Sequence, residues 1–288
     1  MTPRRPHPIV WSAALLATLG LLLLTYLVFI RSESGQVLDD GFMVAANEVL
    51  GTEIARNGAL AFLGYLPAIS AGIAVLALVV ALAVRRSLTA PIVAIIMALG
   101  AASTTQILKA ALSRPNHGVS EATMNSFPSG HTTVAAAAMF AAVLVTSPRW
   151  RPVVATLGGL FASLAAASTY VLGWHRPADV IGAVLVAAAW TLIGGWLVLG
   201  RESGWNGWRR GERDAPSGVW LGLPWIPAVV GLATAAVLWA LLLRDPARTP
   251  DQLSAWYVVA GLGLVLGSTM AIFGAIGAFL SNQTRLAD

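Results

Sequence analysis

Eight runs of apolar residues, each close to 20 residues long, leave this 288-residue chain few ways to fold. They are Pro8–Ile30, Ala59–Val84, Thr89–Leu112, Ser129–Ser147, Val153–Gly173, Asp179–Gly200, Val219–Leu243 and Trp256–Leu280. A helix of that length spans the roughly 30 Å hydrocarbon core of a bilayer and satisfies its own backbone there. The runs are apolar on all sides, so each reads as a span and not as a helix lying in the interface. A composition that is 57% hydrophobic and only 11% charged agrees. The expected fold is an all-α, polytopic integral membrane helical bundle of about eight transmembrane helices.

The first run follows a basic "MTPRRPHP", as a signal peptide would, but it is too long for one and no A-x-A site closes it. It is expected to be retained as a span. Basic residues at span ends set orientation. With the N-terminus in the cytoplasm, eleven basic residues fall inside (Arg4, Arg5, Arg85, Arg86, Arg149, Arg151, Arg201, Arg209, Arg210, Arg213 and Arg285) against seven outside. Nine of the thirteen acidic residues also fall outside. The expectation is a multi-pass cell-membrane protein with both termini cytoplasmic.

The net charge of +5 is then the inside bias itself. No nucleic-acid binding is expected, because no basic segment is interleaved with aromatics and "RESGWNGWRRGERDAPSG" reads as a loop between spans. The absence of cysteine excludes disulfides and thiolate metal sites. Glycines inside spans, such as Gly158, Gly159, Gly263 and Gly267, read as positions of close helix packing. The largest polar insertion is Arg31–Gly58, in which "DDGFMVAANEVLG" has helical spacing and is expected to lie along the outer surface.

Ionisable residues at or within spans carry the functional information. Three of the four histidines, the only lysine and an aspartate lie between residues 109 and 179 in three short clusters. "KAALSRPNH" holds Lys109, Arg114 and His117; "NSFPSGHTT" holds Ser129, Gly130 and His131; "GWHRPAD" holds His175 and Asp179. Alternation of the spans carries all three to the same membrane face, the outer one in this orientation.

The chemistry each cluster permits follows from its residues. Pro128 and Ser129 begin a helix whose free N–H groups and positive dipole end face an anion, and Gly130 admits a ligand close to the backbone. His131 sits in that first turn. His175 and Asp179, four apart, share a face if their turn is helical. A carboxylate on one imidazole nitrogen fixes the tautomer and leaves the other nitrogen free as a nucleophile. Lys109 and Arg114 supply positive charge for phosphate oxygens. Each residue alone has a structural reading: a snorkelling lysine, a packing histidine, a helix-start pair. Their joint placement favours a site. No histidine spacing matches a zinc motif.

The three clusters resemble the signature motifs of the type 2 phosphatidic acid phosphatase family, membrane lipid-phosphate phosphatases whose pattern is Lys-x6-Arg-Pro, Pro-Ser-Gly-His and Ser-Arg-x5-His-x3-Asp. Pro128–His131 match fully, as do His175 and Asp179. The resemblance covers about Lys109–Gly182, and the six-span arrangement up to about residue 200 is compatible with it. It implies a phosphatase core over residues 1–200, with residues 201–288 adding a cytoplasmic loop and two further helices.

By the same resemblance, His175 attacks phosphorus, Asp179 orients it and His131 protonates the leaving group. Lys109, Ser129 and Gly130 cradle the phosphoryl oxygens, and no metal or cofactor is implied. Two departures stand out. The Arg-Pro is Arg114-Pro115, two residues early, with Asn116 at the expected position; and Thr169 follows Ser168 where the third motif has arginine. Arg114 and Arg176 are the candidate replacements, with Asn116 a possible contact.

The expected function is hydrolysis of a lipid phosphate or diphosphate at the outer face, with membrane lipids as the other partners and a polyprenyl substrate favoured by that location. Phosphatidic acid or phosphatidylglycerol phosphate is the alternative substrate. A lipid-phosphate transporter or binding protein is the alternative class, although a transporter places polar elements near the midplane and here they gather at one face.

Overall fold

The computed structural model describes residues 7–85, 88–119, 124–201, 205, 207–208, 217–244, 250–283 and 285–286. The basic loop Arg201–Gly218 lies largely outside the described residues, as do Arg4, Arg5, Arg86 and Arg248 of the orientation argument. Ten α-helices occupy nearly all of the described chain: α1 (Pro8–Thr25), α2 (Glu33–Leu50), α3 (Glu53–Arg85), α4 (Thr89–Ala111), α5 (Gly130–Val145), α6 (Arg151–Val171), α7 (Pro177–Arg201), α8 (Ser217–Gly222), α9 (Trp225–Arg244) and α10 (Pro250–Asn282). A π-helical turn, Tyr26–Arg31, continues α1 toward α2. Two-residue strands, Gly207–Trp208 and Arg285–Leu286, pair in parallel and leave the class all-α.

Seven segments among the described residues are long and apolar enough to cross a membrane: α1 with its π turn, α3, α4, α6, α7, α8 with α9, and α10. The fourth expected span is shorter than the sequence suggests. Helix α5 begins after the Ser129 cap and ends at Val145, where Thr146 turns extended, so it holds 16 residues and rises only about 24 Å. It tolerates this because protein, not lipid, surrounds it: α3, α4, α6 and α7 all pack on it, and Ala135–Leu144 are buried throughout. Its run of alanines lets four neighbours approach closely.

Helix α10 joins this core. Phe273 stacks on Phe140 of α5 with ring centroids 4.0 Å apart and planes 8° from parallel. Gly158 and Gly159 of α6 make the approach possible, since a Cβ on either would lie 2.9 Å from a side chain of Met139 or Met270. At the α9–α10 crossing, a Cβ on Gly263 would meet the Gly231 carbonyl oxygen at 2.5 Å and one on Gly267 the Leu232 nitrogen at 2.8 Å. These four glycines occupy packing positions, as expected.

The polar insertion differs from the expectation in one respect. It is helical, but α2 is docked as well as peripheral. Its inward face carries Gln36, Asp39, Asp40, Phe42, Ala45 and Ala46, all buried. The Tyr170 hydroxyl of α6 donates to the Phe42 carbonyl at 2.7 Å, and Tyr257 of α10 packs on the Phe42 ring. Alternation of helices brings the C-terminal ends of α4 and α6, the N-terminal ends of α5 and α7, and α2 to one end of the bundle.

Candidate active site

The third cluster is built by a turn rather than by a helix. Helix α6 stops at Val171, Gly173 takes φ +66°, and the Trp174 and His175 amides both donate to the Thr169 carbonyl, at 3.0 and 3.3 Å. His175 therefore precedes α7, and the four-residue spacing does not place the pair on a helical face as the sequence reading supposed. They meet because Asp179 stands in the first turn of α7 and reaches back. Its Oδ2 accepts from the Arg176 amide at 3.2 Å and the Ser126 hydroxyl at 2.7 Å, and lies 3.1 Å from His175 Nδ1. With Nδ1 turned to the carboxylate, Nε2 is left for chemistry.

The second cluster forms the start of α5. The Ser129 hydroxyl accepts from the Thr132 amide at 3.4 Å, and the Ser129 amide donates to the Asp179 carbonyl at 2.9 Å. That last bond ties the α5 N-terminus to the α7 N-terminus. Ser129 is fully buried as the helix cap. Gly130 is the point of access: a Cβ built there would lie 4.0 Å from Lys109 Nζ and 3.8 Å from Gln106 Nε2. The His131 ring lies 5.7 Å from that of Trp174, in the turn that carries His175. No ion pair among the described residues engages Lys109.

In the first cluster the helix ends before the displaced arginine. Helix α4 ends at Ala111, and Leu112 is extended. Extended chain advances about twice as far per residue as helix, so spacing beyond Leu112 no longer follows helical register. The segment is pinned from outside. The Ser113 carbonyl accepts from the Tyr26 hydroxyl at 2.8 Å, the Ser113 hydroxyl from Arg31 at 2.8 Å, and the Pro115 carbonyl from Gln36 at 2.9 Å.

Arg114 then carries its guanidinium inward, where Nη1 and Nη2 are buried with no hydrogen-bond partner among the described residues. Burial first, and the nearby Arg176 charge second, push Arg114 below the usual arginine range, against the pull of Asp39, Asp179 and Asp40. A buried cation without a hydrogen-bond partner is costly, and the carboxylates of Asp39, Asp179 and Asp40 offset part of that cost. Asn116 is exposed and its Oδ1 accepts from the Gly118 amide at 2.9 Å, closing its own turn. His117 is also exposed, with Nε2 3.1 Å from the Arg31 carbonyl oxygen.

At the two remaining arginine positions the chemistry divides. Thr169 is fully buried and its hydroxyl donates to the Ala166 carbonyl at 2.8 Å. Arg176 is held by Asp40, with Nε and Nη2 at 2.8 and 2.6 Å from Oδ1, and Nη1 at 3.3 Å from the Ser126 hydroxyl.

Sequence reasoning missed Asp39, Asp40 and Ser126. The signal for the first two was two adjacent carboxylates in the otherwise apolar "VLDDGFMVAA". Asp39 is completely buried; Oδ1 accepts from the Ala178 amide at 3.0 Å, and Oδ2 has no partner among the described residues. Burial, with the Asp179 charge adding to it, raises its carboxyl to about 8, while the Ala178 hydrogen bond and the Arg176 and Arg114 charges oppose the shift. A neutral Asp39 avoids a second buried anion beside Asp179.

The folded state keeps the Asp39 proton that the unfolded chain releases near pH 4. Stability from this group is complete below that value and is lost as pH rises through about 8. Asp39→Asn, which imitates the neutral acid, is expected to flatten the fall in thermal midpoint from about pH 5 to 9. Unfolding scans in detergent across that range check it; an unchanged slope contradicts it.

Residues 87–202 match the PAP2 superfamily. The matched segment runs from the start of α4 to the end of α7 and contains all three clusters. It agrees with the resemblance read from the motifs, and together with the membrane-length helices it supports a membrane phosphatase, a phosphoric ester hydrolase. No curated protein and no solved structure gave a significant match. Helices α1 to α3 and α8 to α10 flank the PAP2 segment, and α2 reaches into its site.

Proposed function

We propose that the chain hydrolyses a lipid phosphate or diphosphate at the outer membrane face through a phosphohistidine on His175, with a polyprenyl substrate favoured. The observation that carries this is the His175 Nδ1–Asp179 Oδ2 contact of 3.1 Å at the bundle end where Lys109 and Arg114 bring cationic groups that form no ion pair among the described residues. Lys109, Arg114 and the backbone at Gly130 hold the phosphoryl oxygens, and Ser129 supports the helix start that presents them. His175 Nε2 donates its electron pair to phosphorus as the ester or anhydride P–O bond breaks. Asp179 stabilises the imidazolium that forms. His131 gives a proton to the departing oxygen and then takes one from the water that cleaves the P–N bond. The products are the dephosphorylated lipid, or its monophosphate, and inorganic phosphate.

The outer location rests on the distribution of basic residues, and the polyprenyl preference rests on that location. Purified protein in detergent with EDTA is expected to release phosphate from short-chain polyprenyl diphosphate faster than from short-chain phosphatidic acid or phosphatidylglycerol phosphate. The reverse order would exchange the substrate assignments. Lipid movement in proteoliposomes without any phosphate release would replace the phosphatase reading by a transporter.

A further inference from the structure

Asp40 lies outside the PAP2 segment and outside all three motifs, yet a continuous hydrogen-bond chain joins it to the nucleophile. Its Oδ1 accepts from Arg176 Nε and Nη2 at 2.8 and 2.6 Å. Arg176 Nη1 donates to the Ser126 hydroxyl at 3.3 Å, and that hydroxyl donates to Asp179 Oδ2 at 2.7 Å. The Arg176 amide donates to the same oxygen at 3.2 Å, and this oxygen holds His175 Nδ1. Arg176 thus governs two of the three groups gathered on Asp179 Oδ2, and Asp40 governs Arg176. Both are buried, Arg176 to 2% and Asp40 to 7% exposure, so the pair compensates charge out of reach of water.

The anchor is itself anchored. Helix α2 is fixed to the site by Asp39 on the Ala178 amide and by Gln36 on the Pro115 carbonyl, both within the turn that precedes Asp40. A hydrogen-bonded carboxylate orients an imidazole only as well as it is itself oriented.

We propose that Asp40 is a positioning residue for the reaction: through Arg176 and Ser126 it holds Asp179, and thereby His175, in the attacking orientation. This rests on His175 being the nucleophile. It also assigns Arg176 to the scaffold and leaves phosphate to Lys109 and Arg114. The polar helix α2, between the first and second spans, is then part of the catalytic unit.

The test compares the full-length protein, Asp40→Asn, Asp40→Glu and His175→Ala in detergent, with the lipid phosphate that the wild type turns over fastest. Asp40→Asn is expected to lower kcat about 10- to 100-fold with KM unchanged. The formation rate of the phosphoenzyme in a single turnover should fall by the same factor. Asp40→Glu, which keeps the carboxylate, should recover part of the loss. Wild-type kcat in Asp40→Asn overturns the inference, and so does a raised KM with kcat kept, which would make Arg176 a substrate ligand. If Asp40→Asn aggregates, the paired exchange Asp40→Asn with Arg176→Gln removes both charges together; the kcat loss should persist, and wild-type kcat there overturns the inference. A wild type that releases no phosphate from any lipid phosphate is a different failure, that of the underlying phosphatase reading.

Discussion

His175→Ala is expected to lower kcat by about 10⁴-fold or more while lipid-phosphate binding is retained. In the proposed mechanism the imidazole forms the covalent bond to phosphorus, so no neighbouring group can replace it by stabilising charge alone. His131 is presented by a different helix, α5, with its ring 5.7 Å from that of Trp174. Binding survives because the cations come from elsewhere, Lys109 from the last turn of α4 and Arg114 from the extended segment beyond it. Steady-state phosphate release and equilibrium binding of a lipid phosphate separate the two effects. Retained turnover in His175→Ala would remove the nucleophile assignment, and lost binding would mean that His175 serves the ground state.

The second large effect falls on Arg114. Its two terminal nitrogens are buried and unpartnered among the described residues, so the guanidinium is desolvated before the substrate arrives. A donor already stripped of water and fixed in place contributes most where charge develops, and its loss costs about 10²- to 10³-fold in kcat/KM. Arg114→Ala should show that loss. Arg114→Lys should recover only part of it, because an ammonium cannot make the two parallel bonds of a guanidinium. Stability should move the other way. Removing an unpaired buried cation beside Arg176 relieves repulsion, so the thermal midpoint without ligand is expected to hold or rise. Full activity in Arg114→Ala would place the phosphate elsewhere and return attention to Asn116 and Arg176.

These two residues show what the sequence makes legible. Length and hydropathy define seven of the eight expected spans, because a bilayer allows almost nothing but helices. Motif order and alternation then bring Lys109, Gly130, His131, His175 and Asp179 to one bundle end, and the geometry agrees. Periodicity misleads where the chain leaves a helix. The His175–Asp179 spacing looks like one helical turn, but the pair is made by a Gly173-centred turn and a carboxylate reaching back. The displaced Arg114 looks like a defect in helical register, yet the register ends at Ala111 and an extended, externally pinned segment delivers it.

The contribution of α2 was the least legible part. Adjacent acidic residues in a polar insertion ordinarily face water, and the apolar residues around Asp39 and Asp40 do not say what the two carboxylates meet. Only tertiary contact reveals it: Asp39 caps the start of α7, and Asp40 answers a guanidinium 136 residues away in the chain. The same contact explains why Arg176, an attractive stand-in for the arginine absent at Thr169, is committed to a carboxylate. The short α5 was equally hidden, since its length depends on four enclosing helices and not on its own hydropathy.

The central claim is that phosphorus passes through His175. The direct measurement mixes purified protein with lipid phosphate radiolabelled in its phosphoryl group, quenches in alkali before turnover is complete, and maps the labelled residue. The expected result is an alkali-stable, acid-labile phosphoryl group on His175, trapped in the wild type and absent from His175→Ala. Phosphate release with no covalent label at any time point, or label carried by another residue, would contradict it.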